Sequence, residues 1–140
     1  MATTTIRLSI GSQDLTSDPF AISSGFNVTS DGSAGLDLTT GLARKKISTS
    51  AEILLDASTF SNTGESQLAY VFIKNLSSNP SSVVFTDSIT IDVSDGSNHN
   101  VLGHLAGGQS IILPFSADND IRVTADTLNT VIEYILVHAG

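Results

Sequence analysis

The chain has 140 residues, 40% of them hydrophobic and only 14% charged, with a formal net charge of −8. That length suits one domain with a core of its own. The lack of Cys excludes disulfides and thiolate metal centres, and the acidic balance opposes binding to a phosphate backbone.

Ser and Thr number 36, so hydroxyls do much of the solvating that Lys and Glu usually do. No apolar run approaches the roughly 18 residues of a membrane-spanning helix. The opening MATTTIRLSI has no basic stretch followed by a continuous apolar one, so it does not read as a signal peptide.

The dominant period is two. In Thr4–Ile10, the apolar Ile6, Leu8 and Ile10 alternate with Thr5, Arg7 and Ser9, which predicts a strand with one wet face. Phe20 and Ile22, Phe26 and Val28, and Leu36 and Leu38 repeat the pattern over shorter stretches. Residues 41–58 come closest to a helical period and could hold one turn or a short helix, but their Ser and Thr density favours extended chain. Within them, Ser50–Ala57 carries the run Ile53, Leu54, Leu55.

Leu68–Leu76 is apolar on both faces, with Tyr70 and Phe72 opposite Val71 and Ile73, which predicts a central strand. Ser82–Asp87, Ser88–Val93, Ser110–Phe115, Asp120–Ala125 and Thr130–His138 complete the predicted strands. Turn formers separate them: Asp31-Gly32, Asn62-Thr63-Gly64, Asn79-Pro80, Asp95-Gly96, Gly107-Gly108 and Asp118-Asn119-Asp120. Strands every 8 to 12 residues with turns between them give an all-β pattern. Composition shifts near residue 65. The expectation is one domain: residues 1–66 as N-terminal strands and an extended, adaptable region, and residues 67–140 as the compact part of an antiparallel β-sandwich of about eight strands.

Motifs that carry chemistry are scarce. Gly64-Glu65-Ser66 begins a nucleophile elbow but continues Gln67-Leu68. Gly103–Gly108 lacks the Lys and the helix of a phosphate loop. His99 and His104, with Asp92 and Asp95, could make a weak metal site; the simpler reading is loop histidines facing solvent or a neighbouring subunit. Asp92–Asn98 faintly follows an oxygen-rich calcium loop, but Asp92 and Asp95 are three apart and no Glu follows, so a tight turn explains it as well. Asp118 and Asp120 divide the same way.

The sequons at Asn27 and Asn75 carry no glycosylation reading without secretion. Tyr70 and Tyr134 sit in apolar strands and there is no Trp, which weighs against a flat sugar-stacking surface. No enzymatic activity, catalytic residue, cofactor or metal is therefore expected. Arg44-Lys45-Lys46 holds half of the positive charge and could dock on an acidic partner.

Three stretches carry a resemblance. They are Ala69–Ser78, a strand ending in Lys74-Asn75 before a polar turn; Leu105–Phe115, a Gly turn and an apolar strand reaching Pro114; and Ile121–Asp126 followed by Thr130–Val137. Together they resemble small virion proteins of tailed bacteriophages, of the capsid decoration (cement), fibre and tail kind. The resemblance spans residues 68–140, and the Gly107-Gly108-Gln109 turn departs from the Pro-Gly-Glu more usual there.

It implies a jelly-roll-like sandwich and a homotrimer on the outer capsid surface, made in the host cytoplasm. The implied partner is the major capsid protein, with no nucleic acid and no membrane. The alternative is a tail or fibre component with a receptor- or glycan-binding role. On the decoration reading, the capsid-facing residues are Ile6, Arg7 and Leu8 in the first strand together with Arg44, Lys45 and Lys46. The sandwich supplies the trimer interface.

Overall fold

The computed structural model describes residues 3–12, 20–29, 36–39, 41–57, 68–77, 87–116 and 119–139. The chain is all-β, and every resolved strand register is antiparallel. The strands are β1 (Thr3–Ser12), β2 (Phe20–Thr29), β3 (Leu36–Thr39), β4 (Ala43–Ile47), β5 (Glu52–Leu55), β6 (Leu68–Asn75), β7 (Ile89–Ser94), β8 (His99–Leu105), β9 (Ser110–Ser116), β10 (Asp120–Ala125) and β11 (Thr130–Ala139). Among the described residues, no helix is long and apolar enough to cross a membrane.

Contacts divide the chain into two compact units, Met1–Asp37 with Ala139–Gly140, and Leu38–His138. This division falls at 37/38 and does not coincide with the composition shift near residue 66. The physical reason is pairing. β1 and β2 pair only with each other, whereas β4 and β5 join the sheets of the second unit. The described residues 41–57 hold those two strands, as their Ser and Thr content favours.

The second unit is a sandwich. One sheet runs β5-β10-β7-β8; the other runs β3-β11-β6-β9, with β4 also pairing β11. Among the described residues nine strands form these sheets, against about eight expected. Between the layers lies a core rich in β-branched side chains, which suit a pleated surface. Val71, Ile73, Ile132 and Leu136 come from one sheet and Ile89, Ile91, Ile121 and Val123 from the other, all buried. β6 is central, as its two-faced apolar pattern predicts, and lies between β11 and β9. The predicted strand Ser82–Asp87 and the turns at Asp31, Asn62 and Asn79 lie outside the described residues, apart from Asp87 itself.

Two register shifts adjust which side chains face inward. Ile121 opposes Leu55 and Arg122 opposes Ile53, so Leu54 is the extra residue on β5. A bulge of this kind re-aims the chain, and here Leu54 and Leu55 are both buried. On β8, Gly103 opposes Ile91 and Val101 opposes Asp92, so Leu102 is extra, and Val101 and Leu102 are both exposed.

Asn75 ties the two sheets at one end. It is fully buried. Its Nδ2 donates to the Asp87 carbonyl at 2.7 Å and to the Leu105 carbonyl at 3.1 Å, and its Oδ1 accepts from the Ser77 N–H at 3.0 Å. Its backbone closes the turn before β9, donating to the Gln109 carbonyl and accepting from Gly108 N–H. A side-chain amide can do this because it offers two donors and an acceptor in one plane. Asn75→Ala leaves two carbonyls and one N–H unpaired. The expected loss is about 2–4 kcal/mol of unfolding free energy in urea melts. A loss under about 0.5 kcal/mol, the size of an ordinary surface change, contradicts this account.

Candidate assembly surface

β1 and β2 form a two-stranded ribbon in which Thr3 opposes Thr29 and Ser12 opposes Phe20. Alternation along paired strands sorts the side chains onto two faces. One face holds Ile6, Leu8 and Ile10, opposite positions 26, 24 and 22. Three of its apolar groups stay open, Leu8 at 57% exposed, Ile10 at 50% and Ile22 at 59%, while Ile6 is half-buried.

The other face is polar and small, with Thr5, Arg7 and Ser9 across from Asn27, Gly25 and Ser23. Thr5 Oγ1 donates to Asn27 Oδ1 at 3.0 Å. The Arg7 stem lies over Gly25, where an added Cβ would come within 3.4 Å of its Cγ. Of the expected capsid-facing residues in β1, Ile6 and Leu8 therefore point to one side of the ribbon and Arg7 to the other.

The basic run Arg44-Lys45-Lys46 lies on β4, and alternation splits it too. Arg44 Nε pairs with Glu133 Oε1 on β11 at 3.0 Å. Lys45 reaches across the open edge of the sandwich, with Nζ 3.3 Å from Glu52 Oε2 on β5 and donating to the Ile53 carbonyl. Lys46 is exposed. The ribbon residues and the basic residues fall in different units.

On the outer face of the four-stranded sheet, Arg122 lies between Asp92 and Ile53. Asp92 is buried, and its Oδ1 has no hydrogen-bond partner; Arg122 Nε stands 3.8 Å away. Arg122 Nη1 lies 2.6 Å from His99 Nδ1, and Thr90 Oγ1 lies 2.9 Å from His104 Nδ1. Arginine has only donors, so His99 Nδ1 is the acceptor. The two histidines thus each have a neighbour of their own. Among the described residues, no three His, Asp or Glu are grouped to hold a metal.

Asp95 caps its own turn. Oδ1 accepts from the N–H groups of Ser97 and Asn98, and Oδ2 accepts from the Asn98 amide. Gly96 follows with φ 87°, a conformation that Gly adopts without strain. This is the geometry of a tight turn with Asp95-Gly96 at its tip.

An open depression is lined by Leu76, Asp87, Thr127, Leu128 and Asn129, among others. Its lining has one carboxylate and no His, Lys or Arg. Tyr70 and Tyr134 are half-buried. Among the described residues, the exposed apolar groups of the ribbon are a feature that packing within the chain does not explain; in the other unit Leu42, Val101 and Leu128 are exposed to a similar degree. Sequence reasoning found the ribbon groups through the period-two pattern, but it missed β8 and its exposed bulge. Compared with protein-family models and with curated proteins, the chain matches none.

Two carboxylates predict a measurable acid response. Hydrogen bonds from Asn98, then from Ser97, hold the Asp95 carboxyl at about 2. Hydrogen bonds from Ser48, with help from the Lys45 ammonium, hold the Glu52 carboxyl below its ordinary value. A folded-state value below the unfolded one stabilises at higher pH, and the stabilisation is lost as pH falls through the folded value. Carboxyl NMR titration should place the Asp95 midpoint near 2, and Asn98→Ala should raise it. A midpoint in the ordinary Asp range in the unsubstituted chain contradicts the turn geometry. Glu52→Gln should flatten part of the fall in stability below about pH 4.5, near the ordinary Glu value.

Proposed function

We propose that this chain is a non-enzymatic structural subunit of a virion, a capsid decoration protein that joins the outer capsid lattice as a homotrimer. The observation that carries the reading is the ribbon, a pair of ten-residue strands on which Leu8, Ile10 and Ile22 are turned to solvent. A contiguous apolar patch of this kind on a protein surface is often an interaction site.

The order of strands adds support for a jelly-roll form. β4-β11-β6-β9 in one sheet and β5-β10-β7-β8 in the other is the order that two nested Greek keys produce. That architecture recurs in viral capsid and lectin domains. Because folds do not fix functions, the surface and not the topology carries the proposal.

The mechanism is multivalent. A trimer presents three equal copies of each contact, so contacts that are weak singly add as avidity on a repeating lattice of the major capsid protein. The ribbon is the element that joins the assembly, and the sandwich is its rigid platform.

Light scattering on the purified chain should give about three times 14.6 kDa. Heads of the parent phage lacking the protein should regain it over their whole surface. Recovery of only a few copies per particle shifts the reading to a tail or fibre component. A monomer that leaves such heads bare overturns the reading.

A further inference from the structure

We infer that the apolar face of the ribbon is closed by the same face of a second copy, related by a two-fold axis running along the ribbon. This rests on reading the ribbon as the assembly surface and names its partner.

Charge is the first argument. The ribbon strands hold a single charged residue, Arg7, on the opposite face. The other five basic residues and all 14 acidic ones lie elsewhere, so the rest of the chain carries −9. Two copies brought together by most other surfaces set like charges against each other. At this face they do not. A charge-free face also offers little to steer or select a foreign protein, because electrostatic complementarity is what usually does so.

Shape is the second argument. Leu8 opposes Ser24 within one ribbon, a large side chain beside a small one. At the next position on this face, Ile10 opposes Ile22. A two-fold axis along the strands lays β1 of one copy over β2 of the other. Leu8 then sits over Ser24 of the second copy, and that copy's Leu8 sits over Ser24 of the first. At this row each large side chain meets a small one, as a self-complementary contact allows, while Ile10 meets Ile22 at the next row. A two-fold axis across the strands at this row would instead set Leu8 against Leu8.

Size is the third. Ten residues at about 3.4 Å each, with two strands side by side, give a face of roughly 340 Å². That is well below the roughly 800 Å² per partner of a stable interface. The pairing is therefore weak between free molecules and effective between copies already held side by side, where local concentration is high. It links neighbouring oligomers pairwise and does not build the trimer.

The chain has no Cys, so single thiols report the contact cleanly. Full-length Leu8→Cys and Ser24→Cys proteins are mixed at high concentration under a mild oxidant. Ser9→Cys with Ser23→Cys, a directly opposed pair on the other face, is the control. The expected result is a mixed disulfide between Leu8→Cys and Ser24→Cys forming at least about tenfold faster than in the control pair, from raised effective concentration. It should also outpace the Leu8→Cys homodimer. Rates equal to the control overturn the proposal.

Leu8→Asp, an exposed change, separates the two levels of the argument. If it abolishes rebinding to heads while the cross-link stays at the control rate, the face serves a different protein and the self-pairing is wrong. If heads rebind the Leu8→Asp protein as before and the Leu8→Cys/Ser24→Cys cross-link forms only at the control rate, the assembly role of the ribbon falls as well.

Discussion

A β-sheet buries one face by setting a second layer against it, and two strands alone supply no such layer. This constraint organises what the chain can do. In the ribbon, Leu8, Ile10 and Ile22 keep half or more of their surface in water. In the sandwich, the corresponding apolar groups of β6, β7, β10 and β11 are sealed between two sheets. One molecule thus holds a finished unit and a unit with an open apolar face.

The finished unit is held by more than its core. Where the two sheets approach at one end, the Asn75 amide binds both the turn residue before β7 and the last residue of β8. At an open edge, Lys45 on β4 clasps Glu52 and the Ile53 carbonyl on β5. Exposed ion pairs of this sort add little stability, roughly 0–1 kcal/mol. Their value is positional, because a charged edge strand resists pairing with stray strands. That edge of the sandwich is shielded by charge, while the ribbon keeps an open face.

Much of this was legible in the sequence where local pattern and final burial agree. Ile6, Leu8 and Ile10 read directly as one face of a strand, and the doubly apolar run Tyr70–Ile73 read as central. Other parts were hidden for physical reasons. β4 is Ala-Arg-Lys-Lys-Ile, and its three cations mask an edge strand whose partners, Glu133 and Glu52, come from distant or different strands. In β8, the bulge at Val101-Leu102 breaks the alternation that would mark a strand. Asn75 reads as a polar strand end, because its three partners come together only on folding. The boundary at 66 follows composition, whereas the observed one follows strand pairing.

The central claim is that the ribbon is completed by association and the sandwich is complete alone. Hydrogen exchange on the full chain, followed at rising protein concentration, tests it most directly. The account predicts that amides of β1 and β2 exchange faster than those of β6 and β11 in dilute solution and slow as concentration rises, while the sandwich amides stay unchanged. Ribbon amides as protected as those of β6 at the lowest concentration would contradict it.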